Sequence, residues 1–496
     1  MKNMKKIASL VLALIMAFAM TAIAFAAETY SITINNSAEG HIYEAYQIFT
    51  GDLSTNEAGN KVLSNIVWGS GVSEAGQTAL GDAAAKAETL KTEADAKAFA
   101  KEVAPYLTTP AASASTVSEG KYVISGLAAG YYLVKDQNDS LTGDNDAYTE
   151  YIVQVVGNVE ADPKSDVPQV EKKVKDINDS TDDAMTGWQD SADYDIGDSV
   201  PFQLKATLAD NVSSYTTYKV VFHDTLSKGL TYDDKSAKVY IDGKETNGFT
   251  VTSTVNADGT TTLTVSCDDV KALGAGNSSV ITVEYSATLN NNAVLGSAGN
   301  PNEVYLEYSN NPNKSEEDDN ETGNTPKDVV IVFTYKTIIN KVDGENKPLT
   351  GAEFTLEKYN KETDEWEAIA VVKNDEGTTF TFSGLDDGNY RLTETTTPAG
   401  YNTIEPIEFT ITAEHDVLSD NPALTSLSGN ATTGEITFTS STTEGSLSAD
   451  VVNKAGSTLP ETGGMGTTIF YILGGLLVLF AVVFLVAKKR MSNMER

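Results

Sequence analysis

The sequence predicts an all-β protein of tandem β-sandwiches, with helices inserted in its first domain. Short runs that alternate Val, Ile, Thr, Tyr and Phe with polar residues are separated by Gly, Asn and Asp, as in "KVYIDGKETNGFTV" and "SSVITVEYSATL". Such runs indicate strands joined by turns. One stretch differs, because "SEAGQTALGDAAAKAETLKTEADAKAFAKEVAPYL", which ends at Leu107, is rich in Ala and predicts helices. The 496 residues suffice for about three domains.

The start of the chain predicts export. Three lysines within the first six residues precede an apolar stretch, and Ala24-Phe25-Ala26 forms an A-x-A site. A basic, apolar and small-residue order of this kind is typical of a secretory signal peptide. We therefore predict that residues 1–26 are removed after Ala26.

The end of the chain predicts a membrane span with an unusual segment in front of it. Residues 467–487 carry no charge, and about 20 such residues cross a bilayer. The basic tail 488–496 follows, which predicts a cytoplasmic C-terminus. On its own the span would be an ordinary stop-transfer anchor. The segment directly before it is the pentapeptide Leu459, Pro460, Glu461, Thr462 and Gly463.

The net charge of the chain argues against nucleic-acid binding as its function. Without residues 1–27 and those after Thr462, the chain keeps 28 basic and 69 acidic residues, a net charge of −41. This argues against nucleic-acid binding, which favours a basic face, and suits a soluble surface protein.

The scarcity of Cys and His argues against metal-dependent or thiol-dependent catalysis. Cys267 is the only cysteine, and His41, His223 and His415 lie far apart without metal-ligand spacing. No nucleophile motif such as G-x-S-x-G occurs. We predict no metal site, no cofactor and no enzyme activity on an external substrate.

Polar, Pro-containing segments divide the chain. They are "EADPKSDVPQ" (160–169), "SNNPNKSEEDDNETGNTPKD" (309–328) and "NKAGST" (453–458). The predicted units are 27–163, 164–326, 327–456 and the terminal segment 457–496. The first and third units share a segment, since "SGLAAGYYLVKD" and "SGLDDGNYRLTE" match in Ser, Gly, Leu, Gly and Tyr. Either a common hairpin or a common sandwich type would explain this match.

The pentapeptide, span and basic cluster, in this order, resemble the cell-wall sorting signal of Gram-positive surface proteins. The resemblance implies that a sortase, a cysteine transpeptidase, cleaves between Thr462 and Gly463. An acyl-enzyme then forms on Thr462, and an amine takes the acyl group. In this interpretation the span is only a temporary anchor.

The domains resemble those of Gram-positive sortase-assembled backbone pilins. "INKVDGENKPLTGAEFTLEK" and "GNYRLTETTTPAGYN" look like the collagen-adhesin B-type immunoglobulin-like domain. "VPQVEKKVKD" with "VVFHDTLSKGLTY" resembles the middle domain, and "HIYEAYQIFTGD" the N-terminal domain. The resemblance implies the shaft subunit of a covalent pilus, joined to other copies of itself by a sortase, anchored to peptidoglycan and supporting adhesion. Ancillary pilins are possible partners, and the sequence does not name a host receptor.

Domains of this family carry an internal Lys–Asn isopeptide bond that a buried acid assists. Burial disfavours the charged forms of both Lys and a carboxyl, so the amine can act as a neutral nucleophile. Such self-catalysed bond formation is the only chemistry we predict for the chain itself. The positions that match the family pattern are Lys341, Asn453 and Glu394 in the third domain, and Lys172, Asn302 and Asp224 in the second.

Strand alternation supports the two lysines. Lys341 alternates in phase with Ile339, and Lys172 with Val170 and Val174, so both should face inward. The first domain departs from the pattern. Asp136 matches the position of Glu394, but residues 28–60 contain no lysine, and we predict no bond there.

The resemblance also implies the amine that attacks the acyl-enzyme. Backbone pilins use a lysine at the end of the first domain, in a Tyr-Pro-Lys motif often followed by Asn. Here "VEADPKSD" matches at Pro163 and Lys164, while Asp162 replaces the Tyr and Ser165 the Asn. Lys164 lies in a junction where a sortase could reach it. The nearest rivals along the chain are Lys172 and Lys173.

Other functions fit parts of the sequence. An ancillary pilin or a monomeric wall-anchored adhesin would share the sorting signal and the sandwiches but lack a reactive Lys164. A wall-anchored enzyme is disfavoured because no catalytic cluster is visible. Calcium binding by "DQNDSLTGDNDAY" or "SEEDDNE" is disfavoured because neither has EF-hand spacing.

Overall fold

The structure is a computed structural model of the chain. It describes residues 28–56, 59–163, 165–181, 185–316, 319–374, 376–457 and 465–492. The predicted signal peptide, Lys164 and the pentapeptide 459–463 lie outside the described residues.

The first part of the chain forms two sheets and three helices. Its elements are β1 (Tyr30–Asn35), β2 (Tyr43–Thr55), β3 (Lys61–Trp68), α1 (Glu74–Leu80), α2 (Ala83–Thr89), α3 (Glu93–Val103), β4 (Ala112–Ala114), β5 (Lys121–Leu127), β6 (Gly130–Asp136), β7 (Glu150–Val155) and β8 (Val159–Ala161). One sheet has the order β5-β1-β8, and the other has the order β3-β2-β6-β7 with β4 paired to β2.

The helices lie in the Ala-rich stretch that predicted them. Ser73, Asp82 and Thr92 each accept a backbone hydrogen bond at a helix start, which satisfies donors that the helix itself leaves open. Phe99 of α3 stacks on Phe49 of β2 at 5.5 Å between ring centroids, so the helices cover one sheet.

The second sandwich contains fifteen short or medium strands. They are β9 (Gln169–Val174), β10 (Ser191–Asp193), β11 (Ser199–Thr207), β12 (Val220–Leu226), β13 (Leu230–Tyr232), β14 (Lys238–Ile241), β15 (Lys244–Thr246), β16 (Thr250–Val255), β17 (Thr261–Cys267), β18 (Val280–Leu289), β19 (Asn300–Ser309), β20 (Ser315–Glu316), β21 (Asp319–Asn320), β22 (Thr322–Asn324) and β23 (Asp328–Phe333). One sheet runs β10-β23-β19-β12-β17-β16 and the facing sheet β15-β14-β18-β11-β9. Alternating residues of both sheets form one apolar core.

The third sandwich has two five-stranded sheets. Its strands are β24 (Tyr335–Asp343), β25 (Glu353–Asn360), β26 (Glu365–Ile369), β27 (Val372–Lys373), β28 (Thr379–Leu385), β29 (Gly388–Thr396), β30 (Ile407–His415), β31 (Leu424–Ala431), β32 (Thr439–Ser441) and β33 (Ser446–Asn453). The sheet orders are β27-β28-β24-β33-β32 and β26-β25-β29-β30-β31. The all-β prediction of tandem sandwiches with helices in the first domain is confirmed.

The boundary between the second and third sandwiches lies later than residue 326. Strand β23 begins beyond that point, yet it pairs with β19 and with β10 of the second sandwich. Val330 and Val332 of β23 belong to the second core. The acidic segment before β23 therefore lies within the second unit and does not end it.

The segment shared by the first and third units is not a hairpin. Strands β5 and β6 lie in different sheets, as do β28 and β29, so each segment crosses from one sheet to the other. Gly126 and Gly384 hold equivalent places with φ of +80° and +79°, a conformation that a Cβ disfavours. The shared Gly therefore reflects a common sheet-to-sheet corner.

The C-terminal helix α4 (Met465–Ser492) contains the predicted span. Residues 468–491 are long and apolar enough to cross a membrane, and no part of that segment is buried against the rest of the chain. Lys489 and Arg490 stand in the last turn of the helix, as a cytoplasmic end requires.

Candidate functional site

A buried polar cluster lies between the two sheets of the second sandwich. Lys172 of β9 projects from one sheet, and Asp224 of β12 and Asn302 of β19 project from the other. All three side chains are fully buried. The Lys172 Nζ donates to Asp224 Oδ1 at 2.6 Å. The structure thus brings the three predicted residues of this sandwich into one cluster.

Tyr285 of β18 is a fourth member that the sequence analysis missed. Its hydroxyl donates to Asp224 and accepts from Lys172 Nζ at 3.1 Å and from Asn302 Nδ2 at 2.7 Å. Asn302 Oδ1 is buried and has no hydrogen-bond partner among the described residues. Alternation in "VITVEYSATL" indicates that Tyr285 faces inward, but it cannot show which residues the hydroxyl meets.

Burial shifts this cluster toward its neutral forms. Loss of solvent lowers the pKa of Lys172, and the charge of Asp224 only partly opposes that effect. Loss of solvent also raises the pKa of Asp224. A proton can therefore move from the ammonium to the carboxylate with little penalty, which leaves a nucleophilic amine beside an acid.

The third sandwich holds a similar cluster in a different arrangement. Lys341 of β24 and Asn453 of β33 lie on neighbouring parallel strands of one sheet, and Glu394 of β29 faces them from the other. Lys341 Nζ contacts Asn453 Oδ1 directly and lies 3.8 Å from Glu394 Oε1. Asn453 Nδ2 donates to Glu394 Oε2 at 3.1 Å and to the Asn402 carbonyl oxygen at 3.0 Å.

The surroundings of Lys341 favour its neutral, deprotonated form. The side chain is fully buried, and burial lowers its pKa to about 8, partly offset by the charge of Glu394. Glu394 Oε1 has no hydrogen-bond partner among the described residues, although Lys341 Nζ is near it. The amine, the amide carbon and the acid of this cluster are therefore adjacent in a dry site.

The first unit keeps the acid but replaces the lysine. Asp136 is buried, and its Oδ1 lies 2.8 Å from His41 Nδ1. Its Oδ2 accepts from the Thr149 backbone N–H at 2.7 Å. A His–Asp pair thus occupies the place of the Lys–acid pair. An imidazole ring has no primary amine, so His41 cannot supply the nucleophile of a Lys–Asn bond.

The junction around Lys164 is held from both sides. Asp162 Oδ1 accepts from Asn35 Nδ2 of the first unit at 2.9 Å, and Asp166 Oδ2 accepts from the Asp210 N–H of the second at 2.8 Å. Pro163 and Ser165 line a cleft of about 840 Å³ between α3 and the second sandwich. The other charged and amide side chains along this cleft include Glu93, Lys97, Lys101, Asp166, Asp210 and Asn277.

Lys172 and Lys173, the nearest rivals of Lys164 along the chain, both interact with other residues. Lys172 is fully buried in the cluster already described. Lys173 forms an ion pair with Asp190 and is about one-quarter exposed. A sortase could not reach Lys172 without opening the sandwich.

Three protein families match parts of the chain. A Cna-B-like domain of Gram-positive pilin backbone subunit 2 matches residues 196–312. The prealbumin-like fold domain of the SpaA family matches residues 336–421. The LPXTG cell wall anchor motif matches residues 451–493, which include the pentapeptide and the span.

Two further similarities extend over most of the chain. The trypsin-resistant surface T6 protein of Streptococcus pyogenes serotype M6 is 27% identical over 395 residues, which is 66% of this chain and 70% of that protein. The structure of the T6 backbone pilin of serotype M6 S. pyogenes, described as a modular three-domain structure, aligns with a TM-score of 0.56 at 19% identity. That alignment covers 87% of this chain and 99% of the T6 chain, and it shows the shared fold.

Proposed function

This chain is a Gram-positive major pilin, a wall-anchored structural subunit of the pilus shaft, and we propose that a sortase joins Thr462 of one subunit to Lys164 of the next. In this reaction the sortase thiolate breaks the Thr462–Gly463 bond and keeps Thr462 as a thioester. The neutral Lys164 amine then displaces the thiolate and forms an amide. Each step discards one α4 helix, and a peptidoglycan amine can take the last acyl group.

The observation that supports this proposal is the position of the residues on either side of Lys164. Its flanks are tied to the first and second units, and they border an open cleft. Lys172 is unreachable, and Lys173 is held by Asp190. Ancillary pilins carrying the same sorting motif could join the shaft by the same acyl transfer.

We predict that Lys164→Ala abolishes the ladder of detergent-resistant polymers in cell-wall extracts while a folded, secreted monomer persists. The reason is that the acyl-enzyme then meets no suitable amine on the next subunit. Immunoblots of wall extracts measure the result. Lys173→Ala is the matched control and should leave the ladder intact. An undiminished ladder in the Lys164→Ala strain would reject this lysine, and a wild type without any ladder would favour a monomeric adhesin.

We also propose that the two buried clusters form covalent Lys–Asn bonds. The acid takes a proton from the lysine ammonium, and the neutral amine attacks Cγ of the asparagine. The acid then gives this proton to Nδ2 and takes the second proton of the attacking nitrogen, so that the Cγ–Nδ2 bond breaks and ammonia leaves. The amide that remains links Lys172 to Asn302 and Lys341 to Asn453. No oxidant is needed, which agrees with a chain that has a single cysteine.

We expect the folded fragment 28–456 to weigh two ammonias less than its sequence, and intact-protein mass spectrometry measures this difference. Asp224→Ala and Glu394→Ala should each restore one ammonia, because the amide is a poor electrophile without the acid. Digestion should release two branched peptides. An unmodified mass in protein shown to be folded would contradict both bonds.

A further inference from the structure

A second polar cluster lies where the second and third sandwiches meet. We call Asp176, Asp193 and His415 the junction cluster. Asp176 follows β9 and Asp193 ends β10, so both belong to the second sandwich, whereas His415 ends β30 of the third. Asp193 and His415 are buried, and Asp176 is mostly so. The three residues are distant in sequence, which is why their spacing gave no sign of a shared site.

The separations within the junction cluster suit a shared cation better than a direct ion pair. His415 Nε2 lies 3.5 Å from Asp176 Oδ2 and 3.8 Å from Asp193 Oδ1. Both distances exceed the range of a good N–H···O hydrogen bond, about 2.7–3.2 Å. A Zn²⁺ ion with ligand distances of about 2.0–2.1 Å would separate tetrahedral ligand atoms by about 3.4 Å.

The hydrogen bonds of His415 fix its ring with Nε2 turned toward the junction cluster. Ser191 Oγ donates its only proton to the Asp416 carbonyl oxygen at 2.6 Å. The same Oγ lies 2.7 Å from His415 Nδ1, so Nδ1 must be the donor of that bond. In the neutral ring, Nε2 then carries the lone pair and faces both carboxylates. Metal-binding histidines commonly have their other ring nitrogen fixed in this way.

A neighbouring group of three aspartates at the same junction differs from the junction cluster because a lysine lies at its centre. Asp179, Asp195 and Asp386 surround Lys358 Nζ, which lies 2.5 Å from Asp179 Oδ1 and 2.6 Å from Asp195 Oδ2 and also contacts Asp386. The Lys358 ammonium therefore balances the charge of these carboxylates. The junction cluster has two carboxylates facing an imidazole and no lysine or arginine ion-paired to them among the described residues.

We propose that the junction cluster binds one divalent cation of intermediate softness, such as Zn²⁺, through His415 Nε2, Asp176 and Asp193. The imidazole disfavours Ca²⁺ and Mg²⁺, which prefer oxygen ligands. Two carboxylates balance the dication, and water completes the coordination. Because the ligands come from two sandwiches, the cation fixes one sandwich against the other.

The test uses the full-length chain, free of any tag, purified in detergent and stripped with a chelator. Titration calorimetry with Zn²⁺ should give one site per chain, and Co²⁺ in place of Zn²⁺ should show visible bands of a low-symmetry site. His415→Ala and Asp193→Asn should each weaken Zn²⁺ binding at least tenfold. Ser191→Ala, which removes the group that orients the ring, should weaken it about 10–100-fold.

His223→Ala is the matched control, because His223 also faces a carboxylate, Glu307 at 2.9 Å, but pairs with no second carboxylate in the described part of the chain. It should bind Zn²⁺ as the wild type does. If His415→Ala does not fold, Asp176→Asn changes the least buried ligand and serves instead. Equal Zn²⁺ affinity in the wild type and in the folded ligand variants would overturn the proposal. So would the absence of binding, or Ca²⁺ binding that ignores His415.

Discussion

Two buried lysines define the chemistry at the scale of single residues. Lys172 and Lys341 each meet an asparagine and an acid in a site closed to water. Alternation along a strand predicts that each lysine points inward, because the side-chain period is two. It does not specify which facing strand supplies a partner. The sequence therefore did not reveal Tyr285. In the first unit it indicated Asp136 but not its partner His41.

We predict that Tyr285→Phe slows bond formation in the second sandwich and leaves the third unaffected. The hydroxyl holds the lysine, acid and amide of the second cluster together, so its loss frees Asn302 from its position. Mass spectrometry after refolding should show a species lacking one ammonia that converts slowly to one lacking two.

Tyr232→Phe is the control for that variant. The Tyr232 ring packs against Tyr285 at 5.8 Å, and its hydroxyl has no hydrogen-bond partner among the described residues. It should mature as quickly as the wild type. Equal rates in the Tyr285→Phe protein would show that the hydroxyl has no part in the reaction.

At the scale of strands, the two proposed bonds cross-link different pairs. The Lys341–Asn453 bond would join β24 and β33, the first and last strands of one sheet. The Lys172–Asn302 bond would join β9 to β19 in the facing sheet. Strand β19 is not the last of its sandwich, because β23 follows. Local sequence predicted the strands well, but sheet membership depends on distant pairings that no local pattern encodes.

We predict that Asn453→Ala lowers the melting temperature of the third sandwich and exposes it to proteases. A cross-link closing a loop of 112 residues contributes on the order of 4–5 kcal/mol in the chain-entropy model.

The stability of the Asn453→Ala variant should also rise between about pH 8 and pH 10.5. The folded state holds Lys341 with a pKa of about 8, so above that pH the unfolded state binds the extra proton. Denaturant unfolding across this pH range measures both effects.

The control is the double variant Lys341→Met with Asn453→Ala. It also lacks the bond, but its stability should lose the part of the pH dependence that belongs to Lys341. Identical pH profiles in the single and double variants would contradict a lowered pKa for this lysine.

At the scale of the whole molecule, contacts between units matter as much as the units themselves. The loop "DQNDSLTGDNDAY" docks on the second sandwich, where Asp146 accepts from Tyr308 and Asn310 and Asn145 donates to Asn324. The sequence showed only an acidic loop there. Export, wall anchoring and tandem sandwiches could be predicted because motifs and strand periods are local. Docking surfaces and the junction cluster could not, because each gathers residues from separate units.

The most direct test of the covalent shaft is the chemical identity of the link between subunits. Pili sheared from the cell wall are digested, and the branched peptides are sequenced by mass spectrometry. We predict a peptide in which the Thr462 carbonyl is joined to Lys164 Nζ, alongside the two internal branches. A Thr462 branch on any other lysine, or polymers with no branch at Thr462, would contradict the account.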